Sequence, residues 1–161
     1  MGPRSLTKVN FISIESSRPK WASEAFHSYE KRFNNSLKIN WIGLKPPKRD
    51  RNYNKPDIVE REKELLTSRI KKDDFVITLD KDGENLNTEN FKLKFEQWTS
   101  YSKDISFIVG GPDGLSPKLI TDSSFCMSLS KLTFPHSMVP IIAIEQLYRV
   151  WSMTQNHPYH K

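Results

Sequence analysis

Apolar and polar residues alternate over Lys8–Ile14 (KVNFISI) and again over Leu37–Gly43 (LKINWIG), a period of two that predicts strands with one face turned to a core. Between them Pro19 can open a helix through about Phe33, with Trp21, Ala25 and Phe26 on one face and Tyr29 and Phe33 extending it. Lys45–Lys55 (KPPKRDRNYNK) has no periodicity, and its prolines and asparagines predict a loop. Asp57 and Glu60 have capping-box spacing and predict a helix running to about Ile70. Phe75–Leu79 (FVITL) and Ile105–Val109 (ISFIV) are short and almost wholly apolar, as expected of strands covered on both faces. Asn87 or Thr88 can cap a helix whose Phe91, Phe95 and Trp98 fall at i, i+4 and i+7. Phe125–Leu129 predicts a fifth strand, and a long helix from about Val139 to Thr154 precedes the tail Asn156–Lys161.

Strands alternating with helices predict an α/β domain with a mainly parallel sheet. No internal repeat or long linker divides the chain, so residues 1–6 read as an unstructured leader or cloning scar and residues 7–161 as one domain. Ligands of such sheets bind where loops leave the carboxyl ends of the strands. Three turns qualify: after Leu79, at Gly110–Ser116 and after Leu129.

Composition narrows the chemistry. A chain of 161 residues can bury a core without disulfides or a structural metal. The single Cys126 has no CxxC or Cys/His partner; it reads as a small buried residue on a strand, in a reducing, cytoplasmic setting. No apolar run approaches the ~20 residues that would span a bilayer. The net charge of +6 is one-sided: 17 Lys/Arg stand against 11 Asp/Glu through Asp80, and 8 against 8 thereafter. A basic half favours a polyanionic partner, since neutralising phosphates releases condensed counterions. Five cations (Lys45, Lys48, Arg49, Arg51 and Lys55) lie in the aperiodic loop beside one acid, Asp50.

Gly110-Gly111-Pro112-Asp113-Gly114 lets the backbone turn sharply and approach a ligand. It is neither the dinucleotide GxGxxG nor a GKS/GKT phosphate loop. Ser128–His136 (SLSKLTFPH) mixes hydroxyls with apolar residues, and its amides and carbonyls suit the edge of an adenine. His136 reads as a cap for the last helix, and Glu145 and Arg149 as an i, i+4 ion pair within it.

Phe107–Ser116 (FIVGGPDGLS), Leu129–His136 (LSKLTFPH), Ala143–Trp151 (AIEQLYRVW) and Asn156–Lys161 (NHPYHK) occur in this order, after the strand end VITLD at Val76–Asp80. Together they resemble the 23S rRNA pseudouridine N3-methyltransferases, the RlmH family of the SPOUT superfamily, across essentially the whole chain after the leader. The resemblance implies a SPOUT-type α/β knot, with the C-terminal part threaded as a trefoil, S-adenosylmethionine bound in a bent shape, and a homodimer. Cofactor positions carried over are Leu79, Gly110, Leu129, Ser130, Lys131, Leu132, Thr133 and Phe134. Methyl transfer from a sulfonium needs collinear positioning rather than a metal or covalent nucleophile. The acceptor imide nitrogen must lose a proton, for which Arg149, His157, Tyr159 and His160 are the candidates. Lys45, Lys48, Arg49, Arg51 and Lys161 are candidate contacts to ribosomal RNA on the assembled ribosome. The tail is expected to be ordered. Pro140 stands where relatives commonly carry arginine, and Ile14-Glu15 where the first strand usually ends in glycine. Two alternatives stay open: another RNA target such as a tRNA, or a noncatalytic RNA-binding module that kept the fold.

Overall fold

A computed structural model describes residues 6–33, 37–50, 52, 54–101 and 104–160. Five parallel strands, β1 (Thr7–Ile14), β2 (Leu37–Leu44), β3 (Phe75–Asn85), β4 (Ile105–Val109) and β5 (Phe125–Ser128), form one sheet in the order β2-β1-β4-β3-β5. Five helices connect and cover it: α1 (Lys20–Glu30), α2 (Lys55–Thr67), α3 (Thr88–Ser100), α4 (Pro117–Asp122) and α5 (Val139–Thr154).

Alternation along the strands sorts the side chains onto two faces. Val9, Phe11, Ile77, Ile105, Phe107 and Met127 meet α1, α3 and α5 in the larger, aromatic-rich core. There the rings of Phe11 and Phe107 stack at 5.0 Å and Phe26 meets Phe11 edge-on at 5.6 Å. Ile12, Ile14 and Ile108 point the other way, onto Leu66 of α2, Leu119 of α4 and Leu115 just before α4. Every residue of β4 is buried, as its unbroken apolar run predicts.

Several boundaries differ from the sequence reading for identifiable reasons. Lys55 belongs to α2 rather than to the loop: Asn54 occupies the N-cap position, Pro56 sits in the first turn, and Asp57 is a first-turn acid rather than the cap. Trp21 is 49% exposed, and Ala22 takes its place on the buried face of α1 with Phe26. β3 does not end at Leu79. It shifts register between Leu79 and Glu84 and resumes with Glu84 and Asn85 paired to Met127 and Ser128. Gly83 permits this, because a Cβ there would lie 2.7 Å from the Met127 carbonyl carbon. Cys126 is half-buried rather than buried. The Asn87 side chain does cap α3, accepting from the Asn90 amide at 2.8 Å, and α5 runs over Val139–Thr154 as expected, with the buried Pro140 in its first turn.

Candidate functional site

Because β4, β3 and β5 are parallel neighbours, the turns after β4 and β5 leave the same edge of the sheet, whereas the turn expected after Leu79 is absent, since β3 runs on to Asn85. Leu79 is in register with both Val109 and Met127, so Gly110 follows on one side of β3 and Ser128-Leu129 on the other. The side chain of Leu79 is itself part of the aromatic-rich core.

The turn after β4 is a closed structure. Gly111 and Gly114 form an isolated bridge, with the Gly114 amide 3.0 Å from the Gly111 carbonyl, and Gly114 takes a φ of +83° that favours glycine. Ser116 then caps α4 through the Leu119 amide. Arg49 of the basic loop donates to Asp113 at 2.6 Å, tying that loop to this turn. Gly110 is tightly enclosed: an added Cβ would lie 2.8 Å from Leu115 Cδ2 and 3.0 Å from the Gly114 carbonyl carbon.

Glu62 of α2 lies beneath the same turn, and no local sequence pattern marks it, since EREKE reads as a solvated helix face. It is 2% exposed, both carboxyl oxygens lack a hydrogen-bond partner, and a Cβ on Gly111 would lie 2.7 Å from one of them. Burial pushes its pKa up, and the Asp113 carboxylate adds to this; the Gly111 backbone, Arg49 and His136 act in the opposite direction. The Gly111 dipole therefore favours the anion without making a hydrogen bond of ordinary geometry.

The segment after β5 is open by comparison. Among the described residues, no backbone–backbone hydrogen bond closes Ser130–Phe134. Its internal polar contacts are Ser128 Oγ to the Ser130 carbonyl and the Leu132 amide to Ser130 Oγ, both 3.0 Å. Lys131, Leu132 and Thr133 are exposed, Leu132 by 73%, while Leu129, Ser130 and Phe134 are half-buried. His136 does not cap α5 with its side chain; its Nε2–H donates to the Ile14 carbonyl, fixing this segment to the end of β1.

The C-terminal candidates assemble elsewhere on the chain. After α5 the tail folds back, and Pro158–His160 form a short 3₁₀ turn. Tyr159 packs edge-on against Tyr148 at 4.7 Å and donates its hydroxyl to Glu145 at 3.2 Å, while Arg149 donates to the same carboxylate at 2.5 Å. Burial, the neighbouring Tyr29 hydroxyl and the Glu145 charge all raise the Tyr159 pKa, so its phenol stays protonated and acts as a donor. The Nδ1 of His160 lies 3.0 Å from the His157 carbonyl. A carbonyl only accepts, so His160 carries a proton on Nδ1, and in the neutral tautomer Nε2 is the acceptor. His157 Nδ1 accepts from the Tyr159 amide at 3.3 Å, so its neutral ring carries the proton on Nε2. Among the described residues, none of the polar or ring contacts of Arg149, His157, Tyr159 or His160 reaches Leu79 or the turns after β4 and β5. They gather instead near the end of α1, where Arg32 lies 5.9 Å from the Tyr159 ring.

Of the basic candidates, Lys45 and Lys48 are exposed and Arg49 is held by Asp113, whereas Arg51 and Lys161 lie outside the described residues. Among the described residues, two cavities are lined by residues outside the turns after β4 and β5. One, about 490 Å³, lies between α1 and β2 beside Arg18, whose guanidinium sits 3.6 Å from the centre of the Trp41 ring. The other, about 540 Å³, lies between the basic loop and α2. Among the described residues, no group of three or more His, Cys, Asp or Glu could hold a metal, and no helix is long and apolar enough to cross a membrane.

Comparison with known proteins adds a family to this geometry. Crystal structures of the SpoU methyltransferase AviRb from Streptomyces viridochromogenes resemble the chain at low identity. The complex with AdoMet shares 9% identity over 92% of this chain and 59% of AviRb, with a TM-score of 0.46. The other AviRb structure shares 12% identity over 96% of this chain and 62% of AviRb, with a TM-score of 0.44. This chain thus spans about three fifths of the length of either. The family model described as "predicted SPOUT methyltransferase" matches residues 7–160. SPOUT methyltransferases use S-adenosylmethionine, the cofactor expected from the sequence. With the match running almost end to end, the chain belongs to the SPOUT methyltransferase family.

Proposed function

We propose that this protein transfers the methyl group of S-adenosylmethionine to N3 of a pseudouridine in 23S rRNA, as a cytoplasmic homodimer acting on the assembled ribosome, with residues 7–161 as its single catalytic domain and the C-terminal part threaded as a trefoil knot. The RNA reading rests on family membership together with the ordered motifs FIVGGPDGLS, LSKLTFPH and NHPYHK. The observation that carries the cofactor assignment is the open segment Ser130–Phe134. Its backbone donors and acceptors make no closing bonds with each other, and they stand at the sheet edge beside a glycine turn, which fits a nucleoside whose base edge and ribose need such partners.

Gly110, Leu129, Ser130, Lys131, Thr133 and the backbone of Phe134 would hold the adenosine, with Leu79, Leu132 and the Phe134 ring as apolar neighbours. When bound, S-adenosylmethionine supplies an electrophilic methyl on an excellent leaving group, so the chain's task is orientation and proton removal. His160 Nε2 takes the imide proton in this scheme, because its Nδ1–H is engaged by the His157 carbonyl. Tyr159 stays protonated and holds Glu145, which in turn orients Arg149 toward developing negative charge on the pyrimidine carbonyls. Among the described residues, none of the polar or ring contacts of these groups reaches their own chain's turns, which supports a dimer in which one subunit's tail faces its partner's cofactor.

The test is methyl transfer to ribosomes that carry or lack the pseudouridine. Transfer only to the former supports the assignment; equal transfer to both, or transfer to tRNA alone, contradicts it. His160→Asn should lower turnover at least about 100-fold, the usual worth of a general base, with S-adenosylhomocysteine affinity unchanged.

A further inference from the structure

The cavity beside the basic loop has chemistry that the methyl-transfer site does not use. Its rim carries the exposed cations Lys45 and Lys48 from the loop and Arg61 from α2, with Glu64 as the one acid lining it. Among the described residues none of these three cations forms an ion pair, whereas neighbouring Lys63 is held by Glu60 at 2.6 Å and Arg49 by Asp113 at 2.6 Å. The floor is apolar, formed by Pro46, Pro47 and Leu65. Two adjacent prolines fix their own φ angles, so the loop wall is largely preformed and little ordering is needed when a ligand arrives. Arg61 was not apparent in the sequence because it sits in a mixed-charge helix run; the fold sets it across the groove from the lysines.

Unpaired cations around an apolar floor suit a sugar–phosphate chain: ammonium and guanidinium groups take phosphates, and the prolines and leucine take the faces of riboses or bases. The Arg49–Asp113 pair joins this wall to the glycine turn at the sheet edge, so a polyanion lying in the groove passes beside the candidate cofactor turns. The surplus positive charge of the first 80 residues adds a field that steers such a ligand inward.

We propose that the groove between residues 45–48 and α2 binds the RNA backbone, with Lys45, Lys48 and Arg61 neutralising successive phosphates. This rests on the reading of the protein as an RNA methyltransferase, and the experiment separates the two. Binding of a fluorescein-labelled RNA hairpin containing pseudouridine is followed across a salt series. It is measured for the wild type, for a K45A/K48A/R61A variant, and for K38A/K71A/K72A, which removes the same charge near the opposite edge of the sheet.

The groove variant should bind at least about tenfold more weakly at ~0.1 M salt, and the slope of log K against log salt should fall by about 2. The distal variant should keep the wild-type slope, and both variants should keep wild-type affinity for S-adenosylhomocysteine by calorimetry. Equal losses in the two variants would mean general charge attraction and would overturn the groove. Unchanged RNA binding accompanied by lost binding to large ribosomal subunits would assign the groove to an acidic protein, and also overturn the proposal. A wild type that binds neither the hairpin nor ribosomal subunits would remove the RNA reading itself.

Discussion

The turns that follow β4 and β5 flank the same strand, yet they are built in opposite ways. Gly110–Gly114 is closed by its own backbone, braced from outside by Arg49 and packed over Glu62 and Leu115. Among the described residues, Ser130–Phe134 has no closing backbone bond; it is held by two contacts through serine hydroxyls and exposes the Leu132 side chain. A braced turn is a fixed wall whose geometry the fold has already settled. An open one keeps its hydrogen-bonding groups for something outside the chain, at the cost of ordering them when that partner binds. Under the proposed function the two turns have separate tasks, shape for the first and recognition for the second.

Substitutions can break each side of this contrast. The largest effect is expected from Gly83→Val, whose side chain would meet the β5 backbone at Cys126 and Met127 within 2.9 Å. Urea denaturation should show a loss of about 3 kcal/mol, with β5 and the open segment displaced together. Wild-type stability would mean that β3 and β5 do not approach as described. Gly110→Val comes next, at about 2 kcal/mol, because its Cβ crowds Leu115 and the Gly114 backbone rather than open space. It should also abolish S-adenosylhomocysteine binding, and calorimetry that finds normal affinity would remove the turn from the site.

Glu62→Gln should work the other way, stabilising the protein at pH 7 by about 1 kcal/mol, since it removes a buried, unpartnered carboxylate. The sign follows from the raised pKa. The neutral carboxyl favours the fold fully below its ordinary value of 4.5, and that contribution is lost as pH rises through the higher folded value. Melting temperature against pH should therefore fall across this window in the wild type and stay flatter in the variant; parallel curves would show that Glu62 is not the group responsible. Smallest in stability is Leu132→Ala, within about 0.5 kcal/mol because the side chain is 73% exposed. Affinity for S-adenosylhomocysteine should nevertheless drop about tenfold, as expected if three carbons of an apolar wall are lost. A variant that binds as tightly as the wild type would make Leu132 a bystander.

Much of this architecture was legible in the chain. Clean alternation marked β1 and β2, unbroken apolar runs marked β4, and the long apolar period of α5 placed both of its ends. α4 escaped because six residues hold fewer than two turns, too few for any period to register. The far half of β3 escaped because Asp80–Asn85 (DKDGEN) has the composition of a turn; it is extended only because β5 pairs with it and Gly83 lets the backbones close. The glycine turn and the LSKLTFPH segment could be singled out from their residues, but their unequal bracing could not, since Arg49 and Glu62 reach the turn from 64 and 49 positions earlier in the chain. Nor did the pattern of the tail reveal that Tyr159 folds onto α5 beside Glu145, away from its own chain's turns.

Hydrogen–deuterium exchange with and without saturating S-adenosylhomocysteine tests the division of labour directly. The account predicts strong new protection of the amides in Ser130–Phe134, and little change at the Gly114 amide, which already donates to the Gly111 carbonyl. Protection confined to the α1–β2 cavity near Trp41, or no binding at millimolar ligand, would contradict it.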